Sequence, residues 1–243
     1  MSAAGRGPLV LFLHGIGGDR RHWFFQMEAF SGQYTAAAWD ARGYGGSDDY
    51  EGPLDFSDFT RDVVRVIDHF RQDKAHLVGL SMGGRIARNV ALAHPERVAS
   101  LTLANSSPGF DALSADEVRR FVAERKARSP ASLRNLLGSE AQPRAYEALL
   151  ESFSALRQES YLKTLEASVA QDRAAPLESI RVPTLVITGS EDRVYSPALA
   201  RDMARRIPGA RLVEIEGAGH LTNLEQPGRF NQAVLEFLKE ARS

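Results

Sequence analysis

Along this chain, short β-branched apolar runs alternate with longer segments of helical period. A parallel sheet whose strands are joined by crossover helices imposes this pattern, and few other architectures do. Six strands are expected: Pro8 to His14, Tyr34 to Asp40, Ala75 to Leu80, Val98 to Ala104, Thr184 to Thr188 and Ala210 to Ile215. All are apolar on both faces or nearly so, as strands covered by helices on either side must be. Helices are expected over Arg20 to Phe30, Phe56 to Phe70, Gly83 to Ala93, Pro197 to Arg206 and Leu224 to Ala241, the last with Asn223 as N-cap.

The alternation breaks between Ser114 and Gln171. That stretch holds no convincing strand, is rich in Arg, Glu, Ser and Ala, and is punctuated by turn residues such as Pro108, Gly109, Pro130, Gly138, Pro143 and Pro176. It reads as a small helical insertion between the fourth and fifth strands, giving a core over 1–107 and 177–243 and an inserted unit over 108–176.

Composition narrows what such a chain does. Thirty basic residues stand against thirty-one acidic ones among 243, for a net charge of -1, so no bulk field attracts a phosphate backbone or an anionic membrane. Nucleic acid and membrane are not expected partners. The absence of cysteine removes disulfides, thiolate metal sites and a cysteine nucleophile. No run approaches the roughly 20 apolar residues that span a bilayer, and Pro8 to Leu13 is too short for a signal segment. A cytoplasmic location is the default, as a monomer or homodimer.

The chemistry concentrates where strands end. Gly79-Leu80-Ser81-Met82-Gly83 follows a strand and opens a helix. A serine on so tight a turn projects its hydroxyl above the sheet, and glycine is needed two residues to either side because a Cβ there would strike the backbone of the turn. Ser81 is the candidate nucleophile. Its hydroxyl needs a base. Of six histidines, His220 lies in the glycine-loosened loop Gly217-Ala218-Gly219-His220 after the last strand, at the sheet edge from which Ser81 emerges. Asp192, just past the fifth strand, is the expected acceptor for that imidazole, with Glu191 as its rival. The order Ser81, Asp192, His220 is nucleophile, acid, base. Backbone N–H groups of Met82 and, in His14-Gly15-Ile16-Gly17-Gly18, of Ile16 are the candidate oxyanion donors. Neither a dinucleotide nor a phosphate-loop spacing is present, and no metal motif appears.

These residues resemble the α/β-hydrolase superfamily along nearly the whole chain. Five blocks agree in order: His14-Gly15 with Trp23 downstream, Asp40 to Ser47, the Ser81 elbow with Gly84, Gly189 to Pro197, and Gly219 to Pro227. The resemblance implies an α/β-hydrolase fold, a structural loop shaped by Asp40 and Arg42, a lid formed by Ser114 to Gln171, and no cofactor. The elbow and the His220 block look most like 3-oxoadipate enol-lactonases and related ester or lactone hydrolases, with carbon-carbon hydrolases of ring-fission products similar in the same blocks. A ligand-binding receptor of slow turnover on this scaffold is the reading from another class.

The family usually carries strands ahead of the His-Gly strand. Here that strand begins at about residue 8, so the leading strands are expected to be missing and Tyr34 to Asp40 to form a sheet edge. Arg85 stands where relatives place an apolar residue. Its cation suits a carboxylate in the pocket, and a surface salt bridge is the plainer reading. His14 and Trp23 join Arg85 as possible substrate contacts. From Arg119 to Arg134 there are six Lys or Arg and one acid, Glu124, a field able to steer an anionic substrate or simply a solvated face.

Overall fold

The computed structural model describes residues 1–110, 114–127, 129–170 and 176–241. Parts of the expected insertion, 111–113, 128 (with its Arg128) and 171–175, lie outside the described residues. The chain runs β1 (Ser2–Ala4), β2 (Leu9–Leu13), α1 (Phe24–Phe30), β3 (Thr35–Ala38), α2 (Ser57–His69), β4 (Ala75–Leu80), α3 (Met82–Ala93) and β5 (Val98–Ala104). Four helices follow, α4 (Ala115–Lys126), α5 (Pro130–Leu133), α6 (Pro143–Ser154) and α7 (Gln158–Ala170). Then come β6 (Thr184–Gly189), α8 (Pro197–Arg206), β7 (Arg211–Ile215), α9 (Thr222–Glu225) and α10 (Pro227–Glu240).

One sheet of seven strands, in the order β1-β3-β2-β4-β5-β6-β7, organises the molecule. All pairs are parallel except β1 with β3. Successive side chains of a strand point to opposite faces, and β2 divides its residues accordingly. Leu9, Leu11 and Leu13 join Phe59, Val63 and Ile67 of α2 and Ile86 and Val90 of α3, whereas Val10 and Phe12 join Phe30 of α1 and Phe230, Val234 and Leu238 of α10. Two apolar layers therefore clamp the sheet, and each fully buried Leu or Phe contributes roughly 1.5–3 kcal/mol by leaving water.

Four expectations are corrected here. The sheet has seven strands, because Ser2–Ala4 pairs antiparallel with Ala36 to Ala38, so the leading segment is present and β3 is not an edge. Its three residues are exposed and carry no apolar signal; the backbone of β3 alone holds them. The last strand is not covered on both faces: β7 is the edge, with Leu212 exposed and Arg211 paired with Glu240 at 2.5 Å. Finally, Pro227 splits the last helix into α9 and α10, and Asn223 caps neither; its Nδ2 donates to the carbonyl of His22 at 2.7 Å.

The helices between β5 and β6 are tied to the rest at several points. Arg157 donates to the carbonyls of Gly43 at 3.2 Å and Ser47 at 2.6 Å, and Ser160 Oγ donates to Asp49 at 2.5 Å. At the other end, the amide of His220 donates to the Leu136 carbonyl at 2.7 Å.

Candidate active site

Ser81 sits between β4 and α3 with φ 54° and ψ −115°, a left-handed conformation costing a non-glycine residue roughly 1–3 kcal/mol. The neighbours make it possible. A Cβ on Gly79 would lie 2.3 Å from the Gly83 carbonyl oxygen, and one on Gly83 would lie 2.0 Å from that of Leu13. Ser81 is thereby lifted off the sheet. Its Oγ stands 3.0 Å from Nε2 of His220, and Nδ1 of His220 stands 3.0 and 3.1 Å from the two carboxylate oxygens of Asp192. Loops after β4, β6 and β7 converge from 139 and 28 residues apart in sequence.

Asp192 is nearly fully buried, and burial works against its charge. The opposing influences win: His220 beside it, the Asn105 amide and the backbone N–H of Tyr195 hold its carboxyl below the usual range. Its Oδ1 also accepts from Val194 N at 2.8 Å and Tyr195 N at 3.1 Å. With a charged acceptor at Nδ1, the imidazole carries its proton there and presents a bare Nε2 to the serine. Glu191, the rival acid, has other partners: it is half-buried and accepts from Ser139 N at 2.9 Å and from Ser139 Oγ.

Met82 starts α3, where the first N–H groups of a helix lack intrahelical acceptors. Gly15 packs so closely that a Cβ on it would come within 3.2 Å of Ser81 Cβ, which brings the Ile16 loop against the serine. Among the described residues, neither the Ile16 nor the Met82 N–H donates to a protein group. Both donors lie on segments that adjoin Ser81.

Above them lies a cavity lined by Ile16, Leu133, Leu136, Leu149, Phe153 and Leu156 together with Ser81, His220 and Arg85. Arg85 is not at the surface. It is 2% exposed, because one helical turn beyond Ser81 it shares the serine's face of α3. Its Nη1 donates to the Ser168 carbonyl at 2.9 Å, and its guanidinium lies 4.7 Å from the ring of Phe110 and 5.3 Å from that of Phe56. Arg125, from the basic stretch of α4, reaches the same cavity.

His14 and Trp23 do not line the cavity. His14 is fully buried; its Nδ1 donates to the Gly15 carbonyl at 2.8 Å and its Nε2 accepts from Ala41 N at 3.0 Å, so it ties the first loop to the third strand's end. Trp23 belongs to the core, 5.0 Å from Phe12 between ring centroids. His22 is buried at the cavity wall. Two residues were given no role from the sequence. Asn105, with φ 46°, donates to Asp192 and to the Gly219 carbonyl, and Glu225 accepts from the amides on either side of His220. The polar run Asn105-Ser106-Ser107 directly after β5, at the same sheet edge as Ser81, was the available signal for the first.

The model of the alpha/beta hydrolase fold family matches residues 8–227. The chain belongs to the alpha/beta hydrolase family. Among the relatives of this α/β-hydrolase is the candidate carbamate hydrolase RutD of Azorhizobium caulinodans, 31% identical over 97% of this chain and 93% of that protein. The 3-oxoadipate enol-lactonase 2 of Acinetobacter baylyi is 29% identical over 96% of this chain and 89% of its own. Of solved structures, a thermophilic esterase from Thermogutta terrifontis with malate bound superposes with a TM-score of 0.89 at 30% identity, covering 100% of this chain and 93% of that one. Among the described residues, no group of three or more His, Cys, Asp or Glu is arranged to hold a metal ion, and no helix is long and apolar enough to cross a membrane.

Proposed function

We propose that this α/β-hydrolase is a serine hydrolase that cleaves a small carboxylic ester or lactone through an acyl-enzyme. The observation that carries the reading is the unbroken hydrogen-bonded run from Ser81 Oγ through His220 to Asp192 beneath a mostly apolar cavity. Ser81 attacks the carbonyl carbon while its proton passes to Nε2 of His220, and Asp192 stabilises the imidazolium. The N–H groups of Ile16 and Met82 hold the oxygen that becomes negative; one such donor is worth about 3–4 kcal/mol of barrier. His220 then gives the proton to the leaving oxygen. A water deprotonated by the same imidazole attacks the acyl-enzyme and frees Ser81.

The helices between β5 and β6, over 108–176, act as the lid that closes the cavity over the core formed by 1–107 and 177–243. The lid and α3 bring two guanidinium groups, Arg85 and Arg125, to an apolar space, which favours a substrate bearing its own carboxylate. Similarity to an enol-lactonase and an esterase supports the same class of reaction.

The test is a panel of short p-nitrophenyl esters, lactones with and without a carboxylate, and a vinylogous ring-fission product, run with the wild type and Ser81→Ala. Ester or lactone turnover in the wild type, reduced by about three orders of magnitude or more in the variant at unchanged fold, is expected. Equal rates in both proteins would remove Ser81 from the chemistry. Turnover of the ring-fission substrate alone would move the reaction to carbon-carbon hydrolysis. Labelling of Ser81 by a fluorophosphonate with no turnover of any substrate would favour a receptor.

A further inference from the structure

We propose that Glu225 is a positioning residue for the base, holding His220 against Ser81 by clamping the peptide groups on both sides of it; the inference rests on the serine-hydrolase reading. The loop that carries His220 is rich in glycine, and Gly217 has φ 70°. Such a segment has many accessible conformations. In the structure it has none to spare. Glu225 Oε2 accepts from Gly219 N at 2.9 Å and Oε1 from Leu221 N at 2.8 Å, while the amide of His220 between them donates to Leu136 O at 2.7 Å. Three successive N–H groups are fixed, and the imidazole on the middle residue is fixed with them.

The carboxylate reaches these groups because Thr222 to Glu225 form a single helical turn in which Glu225 N donates to Leu221 O at 2.9 Å, folding the side chain back over the loop. Oε2 also accepts from Gly138 N at 2.6 Å. Leu136, Gly138 and Glu140 all belong to the segment between α5 and α6, and Glu140 N donates to Gly217 O at 3.0 Å, so among the described residues the base loop is fastened to the helical insertion at three points, one of them through Glu225. Leu136 and Leu221 line the cavity beside His220. An acyl group seated against them therefore presses on the same hydrogen bonds that orient the base.

The side chain is completely buried, and its described partners are N–H groups only. Ordinary packing would not require this. A loop of this length could be held by an apolar contact without desolvating a carboxylate. Burial pushes the pKa of this carboxyl up, and the N–H groups of Gly138, Gly219 and Leu221 oppose that rise. The groups facing the imidazole are Ser81 from α3, Asp192 and Tyr195 from the loop after β6, and Glu225 from α9, with Arg85 and Arg125 in the same cavity.

Glu225→Gln keeps the size, loses the charge and sets an NH2 group against at least one of the three donors. In steady-state assays on the best ester of the panel, kcat should fall about tenfold or more with KM within about twofold. Labelling of Ser81 by a fluorophosphonate should slow in step with kcat. Glu225→Asp keeps the charge and loses reach, so its kcat should lie between those of the wild type and Glu225→Gln, with the labelling rate following it. Wild-type kcat and labelling rate in Glu225→Gln would overturn the proposal. So would a loss of activity that only follows the loss of folded protein, with kcat per folded molecule unchanged, or a failure of both variants to fold, either of which would leave Glu225 a stability residue. The underlying reading fails separately: a wild type that neither labels at Ser81 nor turns over any ester would remove the relay itself.

Discussion

Asn105 Nδ2 donates to Asp192 Oδ2 at 3.0 Å and to the Gly219 carbonyl at 3.1 Å, while Thr222 Oγ1 donates to its Oδ1 at 2.6 Å. The threonine fixes which end of the amide is the donor. One side chain after β5 therefore braces both Asp192 and the loop that carries His220. A hydrogen bond to a charged group contributes roughly 1.5–3 kcal/mol, so Asn105→Ala should lower kcat by about 10- to 100-fold, with the folded state retained. Asn105→Asp should be at least as damaging, since it sets a second carboxylate against Asp192 where a donor is needed. Wild-type kcat in Asn105→Asp would show that the brace is idle.

Asp192 and Glu191 adjoin in sequence but not in role. Asp192→Asn should cut kcat by about 10³- to 10⁴-fold, because an amide at this point favours the wrong imidazole tautomer. Glu191→Gln should stay within about threefold of the wild type. Measured side by side on one ester, a larger loss in Glu191→Gln than in Asp192→Asn would reverse the assignment.

Much of this site is legible in the sequence, for a steric reason. The glycines at 79 and 83 are demanded by the approach of Gly83 and Leu13 carbonyls, so the elbow announces itself locally. His220 and Asp192 are legible because strand ends deliver them to one edge of the sheet. Asn105 is not, since it acts on a partner 87 residues away through a pairing with no local pattern; Glu225 is not, since its hold on the Gly219 and Leu221 amides depends on the single helical turn that folds its side chain back over the loop. Arg85 is open to two readings in the sequence, and its burial against Phe110 and the Ser168 carbonyl decides between them. Trp23 and His14 both follow the strand that precedes the Ile16 loop, and only the packing of Phe12 and the Ala41 amide assigns them to the interior. The register of β1 depends on backbone pairing alone, which its exposed Ser-Ala-Ala could not disclose.

His22 makes the fold sensitive to acid. Ser152 Oγ donates to the Leu149 carbonyl at 3.1 Å and so accepts from Nε2 of His22 at 2.8 Å, leaving Nδ1 buried without a partner among the described residues. A second proton would have nowhere to bond, and burial lowers the pKa from 6.5 to about 4. Between these values the unfolded chain binds a proton that the folded one refuses. Stability therefore falls as pH drops from about 6.5 towards 4, by about 3 kcal/mol through this group, and is unaffected by it above that window. His22→Gln retains a donor for Ser152 and cannot titrate. Urea melts at pH 7 and pH 4.5 should show a smaller loss for the variant than for the wild type, whatever its stability at pH 7. Parallel losses would exclude His22 as the sensor.

Arg85 offers a test of substrate charge that leaves the proposed relay in place. Its guanidinium is held between Phe56 and Phe110 at the cavity wall, a setting in which Met fills similar space without charge. For a carboxylate-bearing lactone and its methyl ester, Arg85→Met should reduce the ratio of kcat/KM values, acid to ester, by about tenfold or more, with most of the change in the acid. An unchanged ratio would mean that the cation serves the protein and not the substrate.

The elbow itself makes the sharpest structural prediction. Alanine is the smallest possible change at Gly83, yet its Cβ would stand 2.0 Å from the Leu13 carbonyl oxygen and 2.8 Å from that of His14, both backbone atoms of the strand and loop that lead to Ile16. Neither can retreat without pulling β2 from β4, to which Leu13 is paired at Gly79. At Gly228, by contrast, an added Cβ meets nothing within 4 Å on a helix where alanine is favoured by about 1 kcal/mol. Gly83→Ala should therefore lower the melting temperature by several degrees or abolish soluble expression, and any folded fraction should label slowly at Ser81 because the Ile16 loop is displaced. Gly228→Ala should melt at or above the wild-type temperature. A Gly83→Ala protein with the wild-type melting point and labelling rate would mean that α3 approaches β2 less closely than the structure has it.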